Sequence, residues 1–146
     1  MSLIKQLEIQ TLTSAKSGMV ELYTPQSSHE TMLSQVAAGV VDDIFVHHFQ
    51  TDQLLVVRGS FVLVILQNRQ YRYIALSEHL PAVVTIPPGV PHGAINFSEE
   101  LRLIMNAVLR HGIPNERDYR PMKPRIPYNM AVAKAALEQL LSPATA

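Results

Sequence analysis

The sequence predicts an all-β barrel or sandwich that is followed by an extended arm and one short helix. Three observations predict it. Short runs rich in branched and aromatic residues recur between Ile44 and Leu109. Turn residues separate them at Gly59-Ser60, at Gln67-Asn68-Arg69-Gln70 and at Pro87-Pro88-Gly89. Their spacing is that of consecutive strands rather than of βαβ units.

In order, the predicted strands are Ile44–His48, Leu54–Val57, Phe61–Leu66, Tyr71–Leu76, Ala82–Ile86, His92–Phe97 and Leu101–Leu109. The first forty residues are less patterned. Met19–Tyr23 reads as a strand, and Glu30–Val36 as a short helical turn or irregular chain. Residues 112–127 carry four prolines and mixed charge, which predicts an extended arm that leaves the barrel. Asn129 can then cap a helix over 129–141, with Met130, Ala133, Leu137, Leu140 and Leu141 on its apolar stripe and Pro143 as its stop.

Chain length fits one domain over 1–146, with its barrel core at about 40–110. Of 146 residues 47% are hydrophobic, enough to bury a real core. Twelve basic residues balance twelve acidic ones, and no Lys/Arg run is long enough to follow a phosphate backbone, so nucleic acid is not an expected partner. There is no cysteine, which excludes disulfides and thiolate metal sites. The longest unbroken apolar run, Phe61–Leu66, is too short to span a membrane, and MSLIKQLEIQ lacks a signal-peptide core. A cytoplasmic protein is the expectation.

The chemistry concentrates in two stretches. "PPGVPHGAIN" sets His92 directly after a turn stiffened by prolines and opened by Gly89, so that the ring begins a strand at a defined place. "VHHFQTDQLLVVRGS" supplies His47, His48, Gln50 and Asp52. Strict alternation puts His48 on one face with Val46 and turns His47 to the other, outer face. A rolled barrel then brings His48, Asp52 and His92 together inside. Tyr71 and Tyr73 read as cross-strand packing.

These stretches resemble the two motifs of the cupin superfamily. Pro87, Gly89, His92 and Asn96 match the second motif, P-x-G-x-x-H-x-x-x-N. His48 and Gly59 match the first, with Asp52 in place of its glutamate and Val46 in place of its leading histidine. The resemblance covers about residues 40–110 and implies a double-stranded β-helix, a jelly-roll-like barrel with the motif residues inside. More narrowly, "VVTIPPGVPHGAINFSEE" and His48-Phe49-Gln50 are similar to segments of dTDP-4-dehydrorhamnose 3,5-epimerases. "HHFQTDQLLVVRGSFVLVI" is similar to a segment of the dTDP-sugar 3,4-ketoisomerases.

The resemblance implies an isomerase or epimerase acting on a keto-sugar, most simply a sugar nucleotide, without a cofactor. His48 would be the base, His92 would hold the ketone oxygen, and Tyr119, whose Tyr119-Arg120-Pro121 is similar to an epimerase Tyr-x-Pro, would be the acid. Gln50, Asp52 and Asn96 are expected ligand contacts. Two further readings stand beside it: a metal-binding cupin enzyme with Fe, Mn, Ni or Zn on His48, Asp52 and His92, and a non-catalytic small-molecule binding cupin. A homodimer built on the barrel and the arm is expected.

Overall fold

The computed structural model describes residues 7–12, 27–113, 118, 121–123 and 126–142. Eight strands are present among them: β1 (Glu8–Thr11), β2 (Glu30–Val36), β3 (Gln50–Arg58), β4 (Ser60–Gln67), β5 (Gln70–Ser77), β6 (Ala82–Ile86), β7 (His92–Ile95) and β8 (Arg102–Arg110). One helix, α1 (Met130–Leu141), follows. All strand pairs are antiparallel, in a five-stranded sheet of order β1-β6-β3-β8-β2 and a three-stranded sheet of order β5-β4-β7.

β4 explains how the two layers are held. Its sequence SFVLVILQ is apolar on both faces because both are covered. Phe61, Leu63 and Ile65 face the five-stranded sheet and join Leu54, Val56, Val84, Ile86 and Ile104 in the core between the sheets. Val62 and Val64 face outward and are sealed, with Ile95, by Ala133 and Leu137 of α1 and by Tyr71, Tyr73 and Tyr128. The β4–β5 turn places Asn68 and Arg69 at φ 53 and 62, the twist that a two-residue hairpin demands.

Three predicted features are corrected. Ile44–His48 is not a strand: only isolated bridges at Ile44 and Phe45 remain, and bends occupy His48 and Phe49. Glu30–Val36 is a strand, paired along its length with β8; its exposed, mixed-polarity sequence is that of a sheet edge and hides the β period. The described part of the arm does not leave the barrel. Met122 bridges Ile44, Asp118 is buried at 1% exposure, and the Tyr71 hydroxyl donates to the Ile126 carbonyl. Met19–Tyr23 and Pro143 lie outside the described residues.

α1 forms as its cap predicts. The Asn129 side chain accepts from the Val132 amide at 3.1 Å, satisfying one of the donors a helix start leaves open. Ala133 is its buried contact, whereas Met130 and Leu141 are exposed. Tyr71 and Tyr73 pack as expected, under the helix, with Tyr71 edge-on to Tyr128 at 5.0 Å.

Candidate functional site

The site is a cavity of about 260 Å³ between the sheets, floored by the core residues Leu54, Phe61, Leu63 and Ile104. Its polar lining comprises Asp42, His47, Gln50, Asp52, His92 and Asn106, with Ser34 and Gln35 of β2 at one side. A larger open groove of about 590 Å³ runs between α1 and β5, and among its described lining residues the only ionisable groups are Arg72 and Tyr73. The smaller cavity gathers the histidines and carboxylates.

β3 aims Gln50, Asp52 and Leu54 inward at every second residue. Asp52 is 4% exposed and fully engaged. Its Oδ1 accepts from Gln50 Nε2 at 2.5 Å and from Asn106 Nδ2 at 3.0 Å. Its Oδ2 lies 3.2 Å from His92 Nε2 and 3.8 Å from His47 Nε2. Burial pushes this carboxyl up, but the His92 ring, aided by the two amides, outweighs burial and holds it at about 2. Arg110 extends the network outward, donating to Gln50 Oε1 at 2.7 Å and pairing with Glu30.

The turn before β7 places His92 as the sequence suggests. Gly89 takes φ 84, a conformation that a side chain would strain, and its amide donates to the His47 carbonyl at 2.7 Å. His92 exchanges backbone hydrogen bonds with Phe45, and its Nδ1 lies 2.9 Å from the Val90 carbonyl. A carbonyl only accepts, so Nδ1 carries a proton and Nε2 is left to face Asp52.

The second histidine of the site is His47, not His48. His48 is exposed and does not line the cavity, whereas the His47 ring lies 5.5 Å from that of His92. Alternation failed because residues 46–49 are not a strand. The amides of His48 and Phe49 point to the same side, both reaching Asp118 Oδ2 at 3.3 Å. In a strand successive amides point apart. The bend turns His47 inward, where its Nε2 lies 3.8 Å from Asp52 Oδ2. Burial pushes the His47 ring below the ordinary value of 6.5; Asp52 draws it up and His92 pushes it down.

His47, Asp52 and His92 thus offer two ring nitrogens and a carboxylate oxygen, all within 4.8 Å of one another. The same three atoms can exchange protons with a substrate or ligate a cation.

Of the other predicted residues, Gln50 and Asp52 line the cavity, and Asn96 does not. Asn96 is 1% exposed and works as a bracket: its Nδ2 donates to the carbonyls of Val36, Ala37 and Glu100, and its Oδ1 accepts from Ser98. Tyr119 lies outside the described residues. Sequence reasoning missed Asp42, Asn106 and Asp118. Asp42 lines the cavity, and burial raises its carboxyl although the Ala94 amide supports the charged form. Nothing in its Asp-Asp context distinguished it from a loop.

No protein-family model and no curated protein sequence matches the chain. Solved structures do. A dTDP sugar isomerase from Desulfovibrio desulfuricans G20 superposes with a TM-score of 0.69 at 18% identity, covering 89% of this chain and 94% of that one. A TDP-quinovose 3,4-ketoisomerase from Campylobacter jejuni gives 0.59 at 16% identity, over 82% and 95% of the two chains. A dTDP-6-deoxy-D-glucose-3,5-epimerase from Legionella pneumophila Philadelphia 1, in complex with dTDP-4-keto-L-rhamnose, gives 0.56 at 16% identity, over 77% and 71%. These are cupin-fold proteins, and this chain has the cupin fold.

Proposed function

We propose that this protein is a sugar-nucleotide epimerase or ketoisomerase that moves a proton beside the ketone of a keto-sugar. The observation that carries this is the convergence of His47, Asp52 and His92 in one cavity of a cupin barrel. The chemistry asks for a base, a donor to the ketone oxygen and a proton source. His47, kept neutral by burial, is the base. It takes the proton α to the carbonyl; the C–H electron pair moves into the C–C bond, and the carbonyl π pair goes to oxygen as an enolate. His92 Nε2, 3.2 Å from Asp52 Oδ2, donates to that oxygen when the ring carries a proton on both nitrogens. Asp42, whose carboxyl retains its proton to higher pH than an exposed aspartate, is a second proton carrier on the cavity wall. Return of a proton to the opposite face inverts the carbon; return at the other enediol carbon moves the ketone. By their own descriptions the fold neighbours act on dTDP- or TDP-linked sugars, which supports a nucleotide-linked substrate.

The donor set favours a second reading. His47 Nε2, Asp52 Oδ2 and His92 Nε2 have the composition of a two-histidine, one-carboxylate triad, and the Val90 carbonyl orients the His92 ring, as ligating histidines require. These residues would hold a divalent ion such as Fe, Mn, Ni or Zn, which would supply Lewis-acid polarisation of a substrate oxygen. A non-catalytic binding cupin is the third.

Deuterium incorporation separates them. With nucleotide-linked 4-keto sugars in deuterated buffer, the protein should place label next to the ketone and keep doing so after exhaustive chelation. Exchange abolished by chelation and restored by one metal establishes the metal enzyme. No exchange with any keto-sugar, with or without metal, defeats the enzyme reading.

A further inference from the structure

Asp118 is a carboxylate 1% exposed in a stretch otherwise rich in proline and charge, and no step of the proposed reaction uses it. One oxygen, Oδ2, receives the successive amides of His48 and Phe49 at 3.3 Å each. Two neighbouring N–H groups aimed at one point form a small anion-binding concavity, here filled by a side chain of the same protein. The other oxygen, Oδ1, is buried and has no hydrogen-bond partner among the described residues. A buried polar atom left so is costly, so the contacts at Oδ2 must be sufficient to keep the group there.

We propose that Asp118 is a positioning residue that selects which of two adjacent histidines enters the cavity. His47 and His48 are chemically the same, and a regular strand continued backward from β3 turns the even-numbered side chains inward with Gln50 and Asp52. That register would deliver His48. The Asp118 carboxylate holds the bend that reverses it, and the His47 ring then lies 5.5 Å from that of His92, with Nε2 3.8 Å from Asp52 Oδ2. The Gly89 amide on the His47 carbonyl fixes the far side of the same residue. The choice between the two histidines therefore depends on a side chain 70 residues away in sequence.

The test has an arm independent of the proposed reaction. In the unmodified protein the His48 and Phe49 amides should be protected from hydrogen exchange well beyond exposed amides; exchange of both at solvent rates overturns the proposal. With histidine ring nitrogens labelled, Asp118→Ala should change the ring signal of His47, as the ring leaves the cavity, and leave that of His92, which rests on Val90. Asp118→Asn, which keeps an acceptor oxygen, should restore it. An unchanged His47 ring in Asp118→Ala, or equal loss at His47 and His92, also overturns the proposal. The kinetic arm rests on the function proposed above: Asp118→Ala should lower kcat for proton exchange on the order of 100-fold with KM little changed. Should no keto-sugar exchange at all, the ring and amide measurements still decide the role of Asp118. Should Asp118→Ala fail to fold, the amide measurement decides it alone.

Discussion

His47 Nε2 and His92 Nε2 address the same oxygen, Asp52 Oδ2, at 3.8 and 3.2 Å. The two rings reach it from different parts of the chain, one from an irregular bend and one from the first residue of β7. Because the other face of the carboxylate is occupied by Gln50 and Asn106, it cannot swing away from either ring. The site is held from its centre outward.

The histidine assignment predicts a contrast between neighbours. His47→Asn should reduce solvent exchange into a keto-sugar by about 100-fold or more, while His48→Asn leaves it near the unmodified rate. Only the neutral ring accepts a proton, so the rate rises as pH passes the His47 pKa. Burial lowers that pKa, so the midpoint of the acid limb lies below the ordinary 6.5. A limb above pH 7 would contradict the assignment of His47 as base.

Asp52 should make stability depend on acid. Its pKa in the fold is about 2 against 3.8 for the free side chain, so the unfolded chain binds the extra proton first. The contribution is fully present above pH 3.8 and disappears as pH falls towards 2, with a size on the order of 2 kcal/mol. Urea unfolding of the unmodified protein and of Asp52→Asn between pH 6 and pH 2 checks this: the variant should show the flatter acid limb.

Asn96→Ala should harm the fold and spare the chemistry. It strips the Nδ2 donor from the carbonyls of Val36, Ala37 and Glu100 at 3.2, 3.0 and 2.8 Å. The expected loss is about 3 kcal/mol in chemical denaturation, with ligand affinity unchanged at temperatures where the variant remains folded. A selective loss of affinity would return Asn96 to the cavity.

Asp42→Asn should separate proton removal from proton return. The amide retains an oxygen for the Ala94 amide but carries no acidic proton. Exchange beside the ketone should persist while net formation of the isomerised sugar falls by at least tenfold, as read by product analysis in the same samples.

The parts of the structure governed by local rules were legible in the sequence. β4, β5 and β6 follow from apolar runs between turns, His92 from a turn whose glycine φ the sequence demands, and α1 from its Asn129 cap. The rest depended on partners distant in sequence. β2 is defined by its pairing with β8 rather than by its own pattern. His47 displaced His48 because Asp118, which no periodicity marks, breaks the alternation that the reading assumed. Asn96 matched a motif, but whether a buried amide meets a ligand or a backbone carbonyl is set by the loops packed on it.

The double-sided burial of β4 also bears on how the protein is made. Its outer face is sealed by a helix that ends at Leu141, 74 residues after β4 ends at Gln67. At ordinary translation speeds that interval is roughly 4–15 s. Throughout it, a nascent chain with a finished hairpin presents Val62 and Val64 uncovered, beside the aromatic rings of Tyr71 and Tyr73. The newborn barrel is therefore a hydrophobic surface waiting for its lid, and holding factors on the ribosome would meet that sheet before α1 does.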